Sequence, residues 1–371
     1  MSCSYSCDDQ PSEIQPYGDI AGSGVVAGFA GTAYMVMIIL ILYYVLVFDP
    51  KLDPFRVKGN RTSRVTHVNL VDDFVLSSIR KRGIFCWMSH YERLMGGRLE
   101  DTFNKCVLVL ADTQIITGLA ILISGFISIR CRLSSYHWQI IVYLAWLSSM
   151  THLSTLTFLR NHLYNQPAEY FSRLLLMLTL IGLLCAAAIP TAFFDFYGDD
   201  PLDFQPSYFA ICFYGPKMNT RTLAFQSMIL FLVLSIYGYV IRIAKMSKWI
   251  MTRSHKAMAY ISELFNKQIK LWNPIEAPRT WYRTSMELIA RPLLIALLRV
   301  VTIQLSIFGS FLAEIYWLAI SLSWGTLNLF TVRNYGPLSE NTYTFGQVLP
   351  LIMLAAPLLS ILENLFEQLF P

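Results

Sequence analysis

The sequence is short of charge. Only 14% of its 371 residues are Asp, Glu, Lys or Arg, whereas soluble domains run near 25%. That shortfall excludes an ordinary soluble enzyme. With 55% hydrophobic residues and a mean hydropathy of +0.47, the chain reads instead as a polytopic membrane protein. The seven cysteines form no CxxC pair and no Cys/His cluster, so neither a metal site nor another cofactor is expected. There is no Gly-rich phosphate loop, internal repeat or nucleic-acid motif, and no nucleic-acid partner is expected. The opening MSCSYSCDDQPSEIQPYGDI has no basic segment leading into a short apolar core, which argues against a cleavable signal. Lys and Arg are missing from the first 23 residues.

What is present is a series of apolar runs of about 20 residues, the length that crosses a bilayer. Seven are expected to span: 24–48, 105–128, 136–160, 170–193, 223–245, 286–307 and 311–332. An eighth stretch, 346–370, holds Pro350, Pro357, Glu363 and Glu367, and reads as an interfacial or partly buried segment, as a re-entrant one or as an eighth span. Residues 49–104 carry ten Lys and Arg and residues 242–285 carry nine. Basic loops stay cytosolic, so the N-terminus is expected in the lumen. The expected fold is an all-α integral membrane protein, a bundle of seven transmembrane helices or eight, in the endoplasmic reticulum. Its parts are a lumenal segment 1–23, a helical domain 24–332 and a C-terminal apolar segment 333–371. Cys3, Cys7 and Cys212 face the lumen in this arrangement, as disulfides or as free thiols. The sequon at 60–62 falls in a cytosolic loop and is expected unused. Phe85 and Trp87 read as interfacial anchors, and Asp72–Asp73 as a solvated loop rather than half of a diphosphate site.

Ionisable residues inside spans mark function or a specific partner. Asp112 lies in KCVLVLADTQIITGLAILISGFIS, twenty residues before the turn at Arg132. His152 lies twenty residues after it. Antiparallel helices of equal rise place the two at one depth, so they are expected to pair. Ser148, His152 and Thr155 make a polar stripe on the third span; Gln139, Tyr143, Trp146 and Met150 make an aromatic one. On the seventh expected span, Glu314, Trp317, Ser321, Trp324 and Asn328 recur at i, i+3, i+7, i+10 and i+14, one face of a helix. This face reads as a cavity wall with an acid at its lumenal end, or as plain packing. Arg299 on the sixth expected span is placed to pair with Glu314 as a structural ion pair. Asp19 fits an N-cap of the first span.

Three stretches carry a resemblance: PYGDIAGSGV before the first span, LADTQIITGLAILISGF in the second and YHWQIIVYLAWLSSMTHLSTLTFLR in the third. Together they resemble a large family of polytopic membrane proteins of filamentous fungi. The match covers the first half of the chain well and the C-terminal FGQVLPLIMLAAPLLSILE loosely. The chain is also similar to membrane-bound terpene cyclases of meroterpenoid pathways, of the ascochlorin, ascofuranone and macrophorin type. That resemblance implies acid-initiated, metal-independent cyclisation of a prenylated, farnesyl-type aromatic or epoxide in secondary metabolism. Such chemistry needs an acid in a dry pocket and aromatic faces for a travelling cation. Asp112, His152 and Glu314 are the expected catalytic groups. Tyr143, Trp146, Trp317, Trp324, Ser321 and Asn328 are the expected lining for a lipophilic prenylated substrate. A receptor-like or channel-like protein is the alternative.

Overall fold

The computed structural model describes residues 5–56, 68–81, 98–131, 133–196, 205–216, 220–271, 281–355 and 359. The sequon at 60–62, Phe85, Trp87, Cys3, Arg132 and nearly all of 356–371 lie outside the described residues. A short helical turn, Gly18–Ala21, leads into α1 (Ser23–Leu46). Then follow α2 (Leu70–Arg80), α3 (Arg98–Ser128), α4 (Ser135–Phe158), α5 (Arg160–Tyr164) and α6 (Pro167–Ala188). After them come α7 (Leu223–Met246), α8 (Lys248–Leu271), α9 (Trp281–Gly309), α10 (Phe311–Arg333) and α11 (Phe345–Met353). The helix starts are written in the sequence as caps. Ser134, Thr222 and Ser310 each accept an N–H three residues on, and Pro167 occupies the first turn of α6.

The protein is an all-α membrane protein. Among the described residues, six helical stretches are long and apolar enough to cross a membrane: Gly18–Leu46, Glu100–Ser128, Ser135–Phe158, Pro167–Phe193, Leu223–Met246 and Phe311–Arg333. α4 is the axis. Every residue of it is buried, and α1, α3, α6, α7 and α10 pack around it. Its polar side chains are used as glue. Thr151 and Ser154 donate back to the carbonyls of Leu147 and Met150, Ser148 to Gln114 O on α3, and Ser149 meets the Tyr239 hydroxyl of α7 at 3.0 Å.

The two ends of the bundle are distinct. At one end sit the starts of α1 and α4, the 3₁₀ turn Leu338–Asn341 and the disulfide Cys7–Cys212. At the other sit the ends of α1 and α7 and the start of α10. There Asp72 on α2 accepts from Ser310 Oγ at 2.8 Å, Phe311 N at 3.0 Å, Leu312 N at 3.2 Å and Tyr44 Oη at 3.1 Å. Asp72 is therefore a buried anchor for the start of α10 rather than a solvated loop residue; Asp73 stays half exposed.

The expected course of the chain at 286–307 is corrected here, and so is the capping role expected of Asp19. α7 ends and α10 begins at the same end, so the chain between them crosses an even number of times. The helix α9 carries a shorter apolar stretch, Ile295–Gly309, and does not complete the crossing expected for 286–307. As a result α10 runs opposite to the expected direction, and Glu314 lies at the end of the bundle away from the N-terminus. The C-terminal apolar segment begins with α11. It enters alongside α1 from the N-terminal end, with Gln347 beside Gly24 and Pro350 beside Gly28. A Cβ at Gly28 would overlap Pro350, which is why a small residue stands there. Asp19, inside the first helical turn, accepts from Thr344 Oγ1 at 2.6 Å and ties this segment down instead of capping α1.

Candidate functional site: an aromatic chamber and two buried carboxylates

Asp112 and His152 share a depth but not a contact. The His152 ring sits at the Ala111 carbonyl, with Nδ1 at 3.3 Å, and its Nε2 has no partner. Asp112 projects from another face of α3, with 47% of its side chain exposed. It takes a two-pronged bond from Arg173 on α6, Nε to Oδ1 and Nη2 to Oδ2, both at 3.1 Å. Arg173 also donates to Glu169 at 2.8 Å. The expected Asp112–His152 pair is thus replaced by an Asp112–Arg173 fork. Equal rise fixes depth, but nothing in the spacing fixes rotation about each axis.

Glu314 is buried and held by two cations of α7. Arg242 Nε lies 3.1 Å from Oε2, and Lys245 Nζ bonds Oε1. Arg299, the expected partner, is exposed on α9. The pair fails because α10 runs the other way, which carries Glu314 to the basic end of α7. Arg160 closes the same cluster by donating to the Lys245 carbonyl at 3.4 Å.

The expected aromatic residues do converge in part. Trp324 packs edge-on against Trp146 at 5.4 Å and Tyr143 at 6.2 Å, and Trp146 meets Phe231 of α7 at 4.7 Å. A cavity of about 40 Å³ lies among Gln139, Tyr143, Trp324, Asn328, Met228 and Phe231. The Gln139 Oε1 atom is buried without a partner. Gly325 lets Trp146 approach α10; a Cβ there would stand 2.7 Å from its Cδ1. Ser321 borders the chamber through its carbonyl, which accepts from Trp146 Nε1 at 3.4 Å. Trp317 stands apart, against Tyr237 at 6.5 Å. Glu314 is 14 residues from Asn328, or about 21 Å along the helix, so it does not reach the chamber. Phe231 and Met228 were not singled out from sequence, because α7 reads as uniformly apolar and periodicity alone does not choose its inner face.

A second carboxylate also went unnoticed. Glu340, in the 3₁₀ turn after α10, is 3% exposed. It accepts from the Tyr136 hydroxyl at 2.9 Å and the Tyr17 N–H at 3.1 Å, and stands 2.6 Å from His137 Nε2. Burial alone would push its carboxyl up. The bonds from His137, Tyr17 and Tyr136 outweigh burial and hold it below the usual carboxylate range. Nothing in its local sequence, GPLSENTY, marks it as buried.

The chain is 30% identical over 155 residues to the "Elsinochromes biosynthesis cluster protein HP3" of Elsinoe fawcettii. The match covers 41% of this chain and 51% of that protein, so it spans about half of the relative's length. No protein-family model matches the chain, and no solved structure does. Among the described residues, no group of three His, Cys, Asp or Glu side chains is placed to hold a metal ion.

Proposed function

We propose that this protein is a membrane enzyme of fungal secondary metabolism that folds a prenylated aromatic substrate against the chamber of α4, α7 and α10 and cyclises it. The observation that carries the reading is the chamber itself, where five aromatic rings, those of Tyr143, Phe194, Phe196, Phe231 and Trp324, and an unpartnered buried amide oxygen meet around a void inside a membrane bundle. Ring faces stabilise a cation moving along a prenyl chain, and a dry site protects it from water. The similarity to a protein of a fungal biosynthesis cluster supports the metabolic setting. At about 40 Å³ the void holds a few waters. In this reading the substrate enters from the bilayer as α7 moves outward; the outer face of α7 presents Leu230, Val233 and Ile236. Asp112 and Glu314 are counter-ions in the structure, and His152 lies beyond the chamber on the α3 side. Tyr143, the titratable group of the lining, is the proton-transfer residue.

The same proposal places the protein in the endoplasmic reticulum, with the N-terminal end of the bundle in the lumen. The Cys7–Cys212 disulfide at that end supports this side, since disulfides persist in oxidising compartments. The receptor-like or channel-like alternative gains no support, because α4 fills the axis of the bundle.

Membranes containing the protein, given farnesyl-phenol and epoxyfarnesyl-phenol substrates, are expected to yield a cyclic product by mass spectrometry. Tyr143→Phe is expected to lower the yield by about 100-fold or more, the usual weight of a proton-transfer group, and Trp324→Ala to lower it by removing a ring face for the cation. Full turnover by both variants would overturn the chamber as the site.

A further inference from the structure

A cavity of about 600 Å³ opens at the N-terminal end of the bundle, far larger than the aromatic chamber. Ser134 and His137 line it, and Glu340 stands behind them. His137 Nε2 is 2.6 Å from Glu340 Oε1, and His137 Nδ1 is 2.7 Å from Ser134 Oγ. Glu340 also takes the Tyr136 hydroxyl and the Tyr17 N–H, so it is an ionised acceptor with three donors around it. In the neutral imidazole a proton on Nε2 faces the carboxylate, and that tautomer leaves Nδ1 as a base. Ser134 Oγ–H donates to that base.

Ser134 is also the N-cap of α4, accepting His137 N–H at 3.3 Å. Capping alone explains that N–H contact. It does not call for an imidazole backed by a buried carboxylate, nor for a cavity in front of the hydroxyl. The order of groups is that of a carboxylate–imidazole–hydroxyl relay, recognised by geometry and roles rather than by position in sequence.

We propose that Ser134 is the nucleophile of an acyl-transfer site in this cavity, with His137 as its base and Glu340 orienting His137. The substrate class is a carboxylic ester reaching the protein from the aqueous side. Ser134 Oγ bonds to the ester carbonyl carbon, the carbonyl π pair moves to its oxygen, and the Oγ proton passes to His137 Nδ1. Collapse breaks the carbon–alkoxy bond, and the leaving alcohol takes the proton from His137. Water, or a second alcohol, then removes the acyl group from Ser134 by the same steps, so no oxidant or further co-reactant is needed. Tyr5 and Tyr17 line the cavity and are the phenolic donors available to the oxyanion. Asp9 and Glu13 line it too, so neutral or cationic esters are favoured over anionic ones.

The test is covalent labelling of the full-length protein in membranes with a neutral fluorophosphonate probe. The expected result is a single adduct on Ser134, found by peptide mass spectrometry, with an anionic probe reacting more slowly. Ser134→Asn keeps a capping acceptor and removes the nucleophile, so it should keep the thermal midpoint in detergent and lose the label. His137→Gln should slow labelling by about 100-fold or more, and Glu340→Gln should slow it less. Absence of labelling in the unaltered protein would overturn the proposal, as would a label that survives Ser134→Asn. If Ser134→Asn fails to fold, the adduct position in the unaltered protein decides alone.

Discussion

Two buried glutamates bracket α10, and they are built differently. Glu314, in the first turn, is met by the guanidinium of Arg242 and the amine of Lys245. Glu340, just past the helix end, is met by a phenol, a peptide N–H and an imidazole. The first arrangement joins α10 to α7. The second leads through a titratable ring to a hydroxyl facing a cavity of about 600 Å³. A carboxylate saturated by cations is a clamp; one that shares its load with neutral donors leaves a base downstream. Residue type and burial are the same in both. What differs is the charge of the partners.

The largest expected effect comes from breaking the clamp. Glu314→Ala leaves Arg242 and Lys245 buried without their counter-ion. Removing one member of such a cluster costs about 3–5 kcal/mol, so thermal unfolding in detergent should drop sharply and yield should fall. The comparison sharpens with a triple change, Glu314→Met with Arg242→Leu and Lys245→Met. Removing buried partners together is often neutral or stabilising, and Arg160 keeps its bond to the backbone carbonyl at 245, so this protein should recover most of the lost midpoint. If the triple change is no better than the single one, the cluster does more than join two helices.

Glu340→Gln should be milder, about 1–3 kcal/mol, because the amide oxygen still accepts while the charge-assisted bonds weaken. The pH dependence gives the sign. The folded carboxyl lies below its unfolded value, near 4.3. Its contribution is therefore complete above the unfolded value and disappears as pH falls through the lowered folded one. Acid below about pH 4 should loosen the 3₁₀ turn from α4, read as exchange of the Tyr17 amide, and Glu340→Gln should flatten that dependence. A response centred near neutral pH would point to a different group.

Much of the fold was legible, and the failures share a cause. Apolar run length found six spans, and polar caps such as Ser134 and Ser310 marked where helices start. The reversal of α10 was not legible, because 286–307 has the composition of a span and only the anchoring of Ser310 and Phe311 on Asp72 shows that the chain has not crossed. That one crossing moved Glu314 to the other end and cancelled its pairing with Arg299. Tyr143, Trp146, Trp324 and Asn328 were legible as chamber residues because helical spacing assigns a face whichever way the helix points. Glu340 and His137 were not, since their partners come from loop geometry some 200 residues away.

The smallest expected effect is also the one that separates the two readings of Asp112. Depth matching brought α3 and α4 together to within one residue, since His152 meets Ala111 rather than Asp112. The carboxylate itself lies on the half-exposed side, joined to Arg173 less than two turns into α6. Asparagine keeps an amide oxygen for Arg173, and Arg173 keeps Glu169 at 2.8 Å when the Asp112 charge is gone, so neither side chain is left without a polar partner. Asp112→Asn should therefore shift the thermal midpoint by only a few degrees at most and leave cyclic product formation unchanged. If Asp112 were the acid that starts cyclisation, the pattern would invert: an unchanged midpoint with product abolished. A proton donor must shed its charge partner to act, so Arg173→Gln would then raise turnover, whereas a clamp predicts no gain from either substitution. The pair of variants thus reads the role of Asp112 from activity and stability together, which neither measurement gives alone.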